Sequence, residues 1–337
     1  MGKIGIVLFV MCMALAPLAF ADSAADYQLG AELWQSLKAK QNQPCDPSVD
    51  STEVLQGHKT PISVLILHGY TQNPQAMASY IEFFKRYDVN ILTPRLAHHF
   101  DRDIRSLDTV RGQEWIDQTQ EAFEAARKLG SHVIVVGYSL GGLLASRLAL
   151  NPKNSRSLAA LVLLSPALRL TGNVELGASV ASLFSRTGND WLKIAPPACG
   201  SATPYLSVNG GNEVVRLMRS TDPAYPGVEN TIYKKIFATE LDSSKPVFLS
   251  VVPNDEVVDS AKLFEMVTPI AGRGYMTFLQ FENNEESKSP HSTLTAIGLE
   301  QRSFLRKSSQ TPYRNSGLFD QLADFLRDWA RLDPLMF

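Results

Sequence analysis

The 337-residue chain holds only three cysteines and six histidines, and these small numbers exclude several kinds of chemistry. There is no C-x-x-C pair and no tight His/Cys cluster, so no structural zinc site is expected. Lys and Arg number 32 against 34 Asp and Glu, a formal charge of −2 with neither sign gathered into long blocks. The electrostatic footprint of a nucleic-acid binder is therefore missing. Internal repeats and extended low-complexity segments are absent too, which excludes solenoids and arrays. What is plentiful is apolar residue, 45% of the chain, enough for one large core or for one domain with a sizeable insertion.

Charge is scarcest at the N-terminus. Lys3 is followed by an apolar run from Ile4 to Phe20, and Ala19-Phe20-Ala21 precedes the polar Asp22-Ser23. A basic start, an apolar stretch and an A-x-A site predict a secretory signal peptide over residues 1–21, cleaved near Ala21. The expected destination is the periplasm or the medium, with no stable membrane anchor after cleavage. An uncleaved anchor is the alternative, and Pro17 and the small residues at the junction argue against it. The mature chain of about 316 residues keeps Cys45 and Cys199. An exported protein permits a disulfide between them, and the sequence leaves open whether they bridge or lie apart as two buried cysteines.

Past residue 60, segments of strand and helix type alternate, the signature of a parallel sheet with helices on both faces. Strands are predicted at Ser63–Leu67, Val89–Leu92, His132–Val136, Leu158–Leu164, Val247–Val252 and Met276–Phe281. Several lack polar alternation, as strands buried on both faces do. Helices are predicted at Pro74–Arg86, Gln113–Leu129, Gly141–Leu150, Ser260–Ile270 and Gly317–Arg331, the last with Leu318, Leu322, Phe325 and Trp329 on a core face. The alternation breaks once, over some 75 residues from about 167 to 241. Val174–Ser185, Asn212–Ser220 and Thr231–Leu241 would suit a small helical cap there, with Pro196–Gly211 as a loop. Ahead of the domain expected over residues 61–337, a leader (22–60) reads as a helix over Tyr27–Lys40 with Leu29, Leu33, Trp34 and Leu37 inward. Val49–Gln56 is expected to pair at the sheet edge.

The chemistry concentrates at Val133-Ile134-Val135-Val136-Gly137-Tyr138-Ser139-Leu140-Gly141-Gly142. A β-branched run stops at a Gly-x-Ser-x-Gly pentapeptide and passes into a Leu/Ala-rich helix, the setting in which a serine is exposed as a nucleophile. Gly137 and Gly141 permit the tight turn. A serine needs a base, and the base needs an orienting carboxylate. Among the histidines, His132 and His58 lie at the wrong ends of strands, and His98 and His99 are better suited to a wall or surface. His291 is the candidate base, on a polar loop after the final strand. Asp255, just past the penultimate strand, is the candidate carboxylate; Glu256 would project differently, and Asp259 resembles the N-cap of the next helix. Two backbone donors for a developing oxyanion are expected, the N–H of Leu140 after the nucleophile and that of Tyr70 after His68-Gly69. His68 then shapes the loop and is not a base.

With Leu67-His68-Gly69-Tyr70, Gly137-Tyr138-Ser139-Leu140-Gly141, Asp255 and His291 in that order, the chain resembles serine hydrolases of the α/β-hydrolase family, from about Ser63 to the C-terminus. Within it the chain is most similar to carboxylesterases and monoacylglycerol-lipase-like enzymes. The resemblance implies an α/β-hydrolase fold with a mostly parallel sheet and a cap insertion, and acyl transfer from a small-molecule ester through Ser139, His291 and Asp255, with no metal or organic cofactor needed. A cap that is apolar inside would favour lipid-derived esters. A peptidase or amidase using the same residues is the second reading, and a binding protein on an inactive hydrolase scaffold the third. Oligomeric state is left open.

Overall fold

The computed structural model describes residues 23–174, 199, 207–220, 245–252, 254–267, 276–280, 291, 293–296 and 317–334. Seven strands form one sheet: β1 (Thr52–Val54), β2 (Thr60–Leu67), β3 (Val89–Thr93), β4 (Gly130–Tyr138), β5 (Leu158–Leu164), β6 (Val247–Val251) and β7 (Met276–Gln280). Their spatial order is β1-β3-β2-β4-β5-β6-β7, and every neighbouring pair is parallel except β1 with β3. The six predicted strands are all found, some longer at their ends, and the leader supplies the seventh at the edge.

Both faces of the sheet are covered, and the pleat divides the strand residues between them. Leu65, Leu67, Val133, Val135, Leu161, Leu163 and Leu249 face one apolar layer, with Trp34, Trp115, Phe123 and Leu143. Those side chains come from helix α1 (residues 23–40), α3 (Gly112–Leu129) and α4 (Leu140–Leu150). Val64, Ile66, Ile134, Val136, Val162, Leu164 and Phe248 face the other layer, where α2 (Ala78–Phe84) brings Tyr80 and Phe84 and α8 (Leu318–Phe325) brings Leu318, Leu322 and Phe325. Further helices are α5 (Val208–Ser220), α6 (Ser260–Val267) and α7 (Thr293–Ala296). Among the described residues no helix is long and apolar enough to cross a membrane.

Several expectations need correction. Leu29 and Leu33 are 41% and 38% exposed, because α1 packs through Trp34 and Leu37, and the two leucines lie about a quarter-turn off that seam. Trp329 is 39% exposed: the last helix widens into a π turn over Leu326–Ala330 and stops at Arg331 in the left-handed conformation, which carries Trp329 away from the core row. The predicted loop Pro196–Gly211 contains the start of α5 at Val208. The predicted helix at Pro74 opens as a 3-10 turn, Pro74–Met77. Residues 1–22, nearly all of Val174–Ser185 and all of Thr231–Leu241 lie outside the described residues.

The leader is bound into the body by a buried cation. Arg95 follows β3 and is 1% exposed; its guanidinium donates to the carboxylates of Asp50 and Asp101 and to the carbonyls of Asn42 and His99. Backbone bonds from Cys45 to Phe100 and from Arg102 to Gln43 run beside it. Cys45 also forms a disulfide with Cys199, Cα to Cα 5.6 Å, joining the leader to a residue 154 positions away. A loop of that length constrains the unfolded chain strongly. The double variant Cys45→Ser/Cys199→Ser is expected to lose about 2–4 kcal/mol of unfolding free energy, read from urea titration of the oxidised protein and its variant.

Candidate active site

β4 ends at Tyr138, and the next residue reverses the chain into α4. Ser139 holds φ 52° and ψ −114°, a region that side chains other than glycine seldom occupy. Hydrogen bonds hold it there: its N–H donates to Leu164 carbonyl at 3.0 Å, and its own carbonyl accepts from Leu143 and Ala167. The flanking glycines are required by space. A Cβ on Gly137 would lie 2.3 Å from the Gly141 carbonyl oxygen, and one on Gly141 would lie 2.2 Å from that of Leu67. The side chain of Ser139 is thereby delivered to the carboxyl edge of the sheet at 5% exposure.

Two other strands deliver groups to the same edge. After β6 the chain turns through Asn254, at φ 56°, and presents Asp255, whose side chain is fully buried. One carboxylate oxygen accepts the N–H groups of Val257 and Val258, at 2.9 and 2.8 Å. The other lies 2.8 Å from Nδ1 of His291, and Nε2 of that ring lies 2.9 Å from Oγ of Ser139. A carboxylate only accepts, so Nδ1 carries the proton and Nε2 is free to accept the serine hydroxyl. Asp255, His291 and Ser139 thus form one hydrogen-bonded chain. Asp259 instead caps α6, its carboxylate accepting the N–H of Lys262.

The donor side lies beneath. Leu140 is the first residue of α4, where helical N–H groups have no partner within the helix. The Tyr70 N–H follows β2, the strand beside β4. Among the described residues, no hydrogen bond occupies either N–H. His68 is fully buried, donating from Nδ1 to the Gly69 carbonyl at 2.9 Å and accepting the Leu96 N–H on Nε2, also at 2.9 Å. With both nitrogens engaged it braces the Gly69–Tyr70 turn and cannot serve as a base. The Tyr70 hydroxyl donates to the Ser207 carbonyl at 2.6 Å, so the same turn docks the start of α5. His99 is buried against His68 and Trp115, His98 faces Glu114 at 3.4 Å, and His58 and His132 are exposed, away from Ser139. No cluster of three or more metal-ligating side chains occurs among the described residues.

Two further residues reach His291 with no role assigned from sequence. Glu256 accepts its backbone N–H, and the Tyr138 hydroxyl donates to its backbone carbonyl. No local pattern marks them, since the contacts span 35 and 153 residues.

The profile of the Alpha/beta hydrolase family matches residues 64–273, more than half of the sequence. This chain belongs to the alpha/beta hydrolase family. Among curated relatives of this hydrolase, the thermostable monoacylglycerol lipase of Bacillus sp. (strain H-257) is 24% identical over 103 residues. That stretch is 31% of the present chain and 41% of the relative, so the match spans about two fifths of that protein's length. Among solved structures, one from a study of the metagenome-derived lipolytic enzymes LipS and LipT superposes with a TM-score of 0.52 at 19% identity, covering 72% of this chain and 90% of that one. A soluble variant of the monoglyceride lipase of Saccharomyces cerevisiae, in complex with a substrate analog, gives 0.53 at 13% identity, covering 72% and 83%. At such identities the likeness concerns the fold, which is the α/β-hydrolase fold that the resemblance implies.

The buried histidines of this hydrolase carry a consequence for pH. Burial pushes His68 well below the usual histidine value of 6.5 and His99 down to about 4. Both stay neutral in the folded chain, while an unfolded histidine takes up a proton near 6.5. The unfolded state therefore binds more protons below that pH, and stability is complete above 6.5 and declines toward 4. For His99 the loss by pH 4 is on the order of 3 kcal/mol. The urea midpoint is expected to fall from pH 6.5 to 4.5, and to fall less steeply in a His99→Gln variant.

Proposed function

We propose that this hydrolase cleaves carboxylic esters through an acyl-enzyme on Ser139. The observation that carries the reading is the unbroken hydrogen-bonded chain from the Asp255 carboxylate through His291 to Ser139 Oγ. In the attack, Nε2 of His291 takes the serine proton as Oγ bonds to the ester carbonyl carbon. Asp255 remains ionised, its second oxygen satisfied by Val257 and Val258, and stabilises the imidazolium that forms. The carbonyl oxygen turns toward the Leu140 and Tyr70 N–H groups, each donor being worth about 10²–10³ in rate. The imidazolium then protonates the leaving alcohol, and water deprotonated by the same ring releases the acid. Groups already present on the protein carry every step.

The lipolytic and monoglyceride-lipase names among the relatives support a small ester, with lipid-derived esters the first class to test. Turnover of p-nitrophenyl esters of graded chain length tests the reading. Ser139→Ala is expected to reduce kcat by on the order of 10⁶-fold, and Asp255→Asn by on the order of 10⁴-fold, each with an unaltered melting temperature. Absence of ester turnover in the wild type, with turnover of an amide, would replace the esterase by an amidase. We also propose export with cleavage near Ala21, motivated by the apolar run after Lys3. The intact mass of the mature protein from the producing cell is expected to begin at Asp22; an uncleaved Lys3-containing terminus would refute it.

A further inference from the structure

In the proposed reaction His291 must present one ring nitrogen to Asp255 and the other to Ser139 throughout proton transfer. The two side-chain hydrogen bonds orient the ring, but the backbone that carries it comes from beyond the last strand and needs its own anchor. Two contacts supply one. The His291 N–H donates to the Glu256 carboxylate at 3.1 Å, and the His291 carbonyl accepts the Tyr138 hydroxyl at 2.6 Å. Glu256 directly follows the carboxylate residue Asp255, and Tyr138 directly precedes the nucleophile. Each anchor is therefore one residue from a reacting partner and shares its placement.

Both anchors are themselves held. The Glu256 carbonyl accepts the Thr171 hydroxyl at 3.0 Å, the Val257 carbonyl accepts the Thr171 N–H, and Leu170 bridges to Val258. The turn bearing Asp255 and Glu256 is thus stitched to the segment after β5. Tyr138 is 2% exposed at the end of β4, its ring tilted 34° to that of His291 with centroids 5.1 Å apart. Its other contact is the turn that carries the Tyr70 donor: a Cβ on Gly69 would lie 2.8 Å from two carbons of the Tyr138 ring, so that position accepts only glycine without a shift. Burial, with Asp255 and Glu256 nearby, raises the ionisation of the Tyr138 hydroxyl well above its usual value and keeps it a donor.

We propose that Tyr138 and Glu256 clamp the main chain of His291 and are positioning residues for the base. The inference rests on the reading of Ser139, Asp255 and His291 given above. It assigns to the second residue of the Gly-x-Ser-x-Gly turn and to the acid after Asp255 the task of keeping Nε2 in line with Oγ. A hydrogen bond of this kind contributes a few-fold to tenfold, and a displaced base costs more.

The test is ester kinetics together with the rate of Ser139 labelling by a fluorophosphonate, which needs the same base but no particular substrate. Tyr138→Phe keeps the ring and its packing and removes only the hydroxyl. Glu256→Ala removes the acceptor, whereas Glu256→Gln keeps an amide oxygen in its place. Tyr138→Phe and Glu256→Ala are each expected to lower kcat about tenfold with KM within about twofold and the melting temperature unchanged, with labelling slowed in parallel. Glu256→Gln is expected to recover most of the loss. A kcat and labelling rate near those of wild type in either variant, or a loss carried by KM or by the melting temperature, overturns the clamp. Failure of the wild type itself to be labelled overturns the serine-nucleophile reading, and the clamp with it.

Discussion

Ser139 sits in a backbone conformation that costs energy, and the surrounding structure is arranged to hold it. A non-glycine residue in such a region is destabilised by about 1–3 kcal/mol and persists only where its neighbours over-determine it. Here they do, through the Leu164 carbonyl on one side and the Leu143 and Ala167 N–H groups on the other. β4 lies between β2 and β5 in the sheet, so the strand that supplies the Leu164 carbonyl and the strand that leads into the turn bearing Tyr70 are its immediate neighbours. The close approach of Gly141 to the Leu67 carbonyl ties the nucleophile's helix to the end of β2. Sheet order, turn and donor loop are one constraint seen from three sides.

A second layer fixes the first. His68 spans from the Gly69 carbonyl to the Leu96 N–H, and Tyr70 spans from its turn to Ser207 at the start of α5. Buried His68 and half-buried Tyr70 act here through fixed donors and acceptors rather than through charge. The buried carboxylate at the centre, that of Asp255, has its oxygens satisfied by two backbone N–H groups and the His291 ring. Burying it thus leaves neither oxygen without a donor.

Much of this was legible because the physical signal is local. Val133-Ile134-Val135-Val136 ending at Gly137 marks a buried strand and its turn without reference to anything else in the chain. The acid and the histidine could be chosen because each follows a strand, and strand ends converge on one edge. Tyr138 and Glu256 could not be chosen, since what they bind is backbone, and any residue has a backbone. Leu29, Leu33 and Trp329 misled for a related reason. Their spacing is helical, but which stripe of a helix faces the core depends on the neighbour: α1 seats Trp34 and Leu37, and the π turn after Phe325 redirects the last row. The pairing of Cys45 with Cys199 depends on proximity across 154 residues, which composition alone cannot supply.

The burial of Arg95 gives the leader a standing that the boundaries of the family do not. The matched residues begin at 64, yet two of the four acceptors around that guanidinium, Asp50 and Asn42, lie upstream, as does Trp34 in the apolar layer. A chain shortened to the matched residues would strip the Arg95 guanidinium of two acceptors and leave an indole-sized hole in the apolar layer. The segment ahead of the first parallel strand is accordingly part of the foundation and not a tether leading to it. Its outer side, where Leu29 and Leu33 meet solvent, carries none of these contacts; the carboxylate of Asp50 and the backbone of Asn42 do.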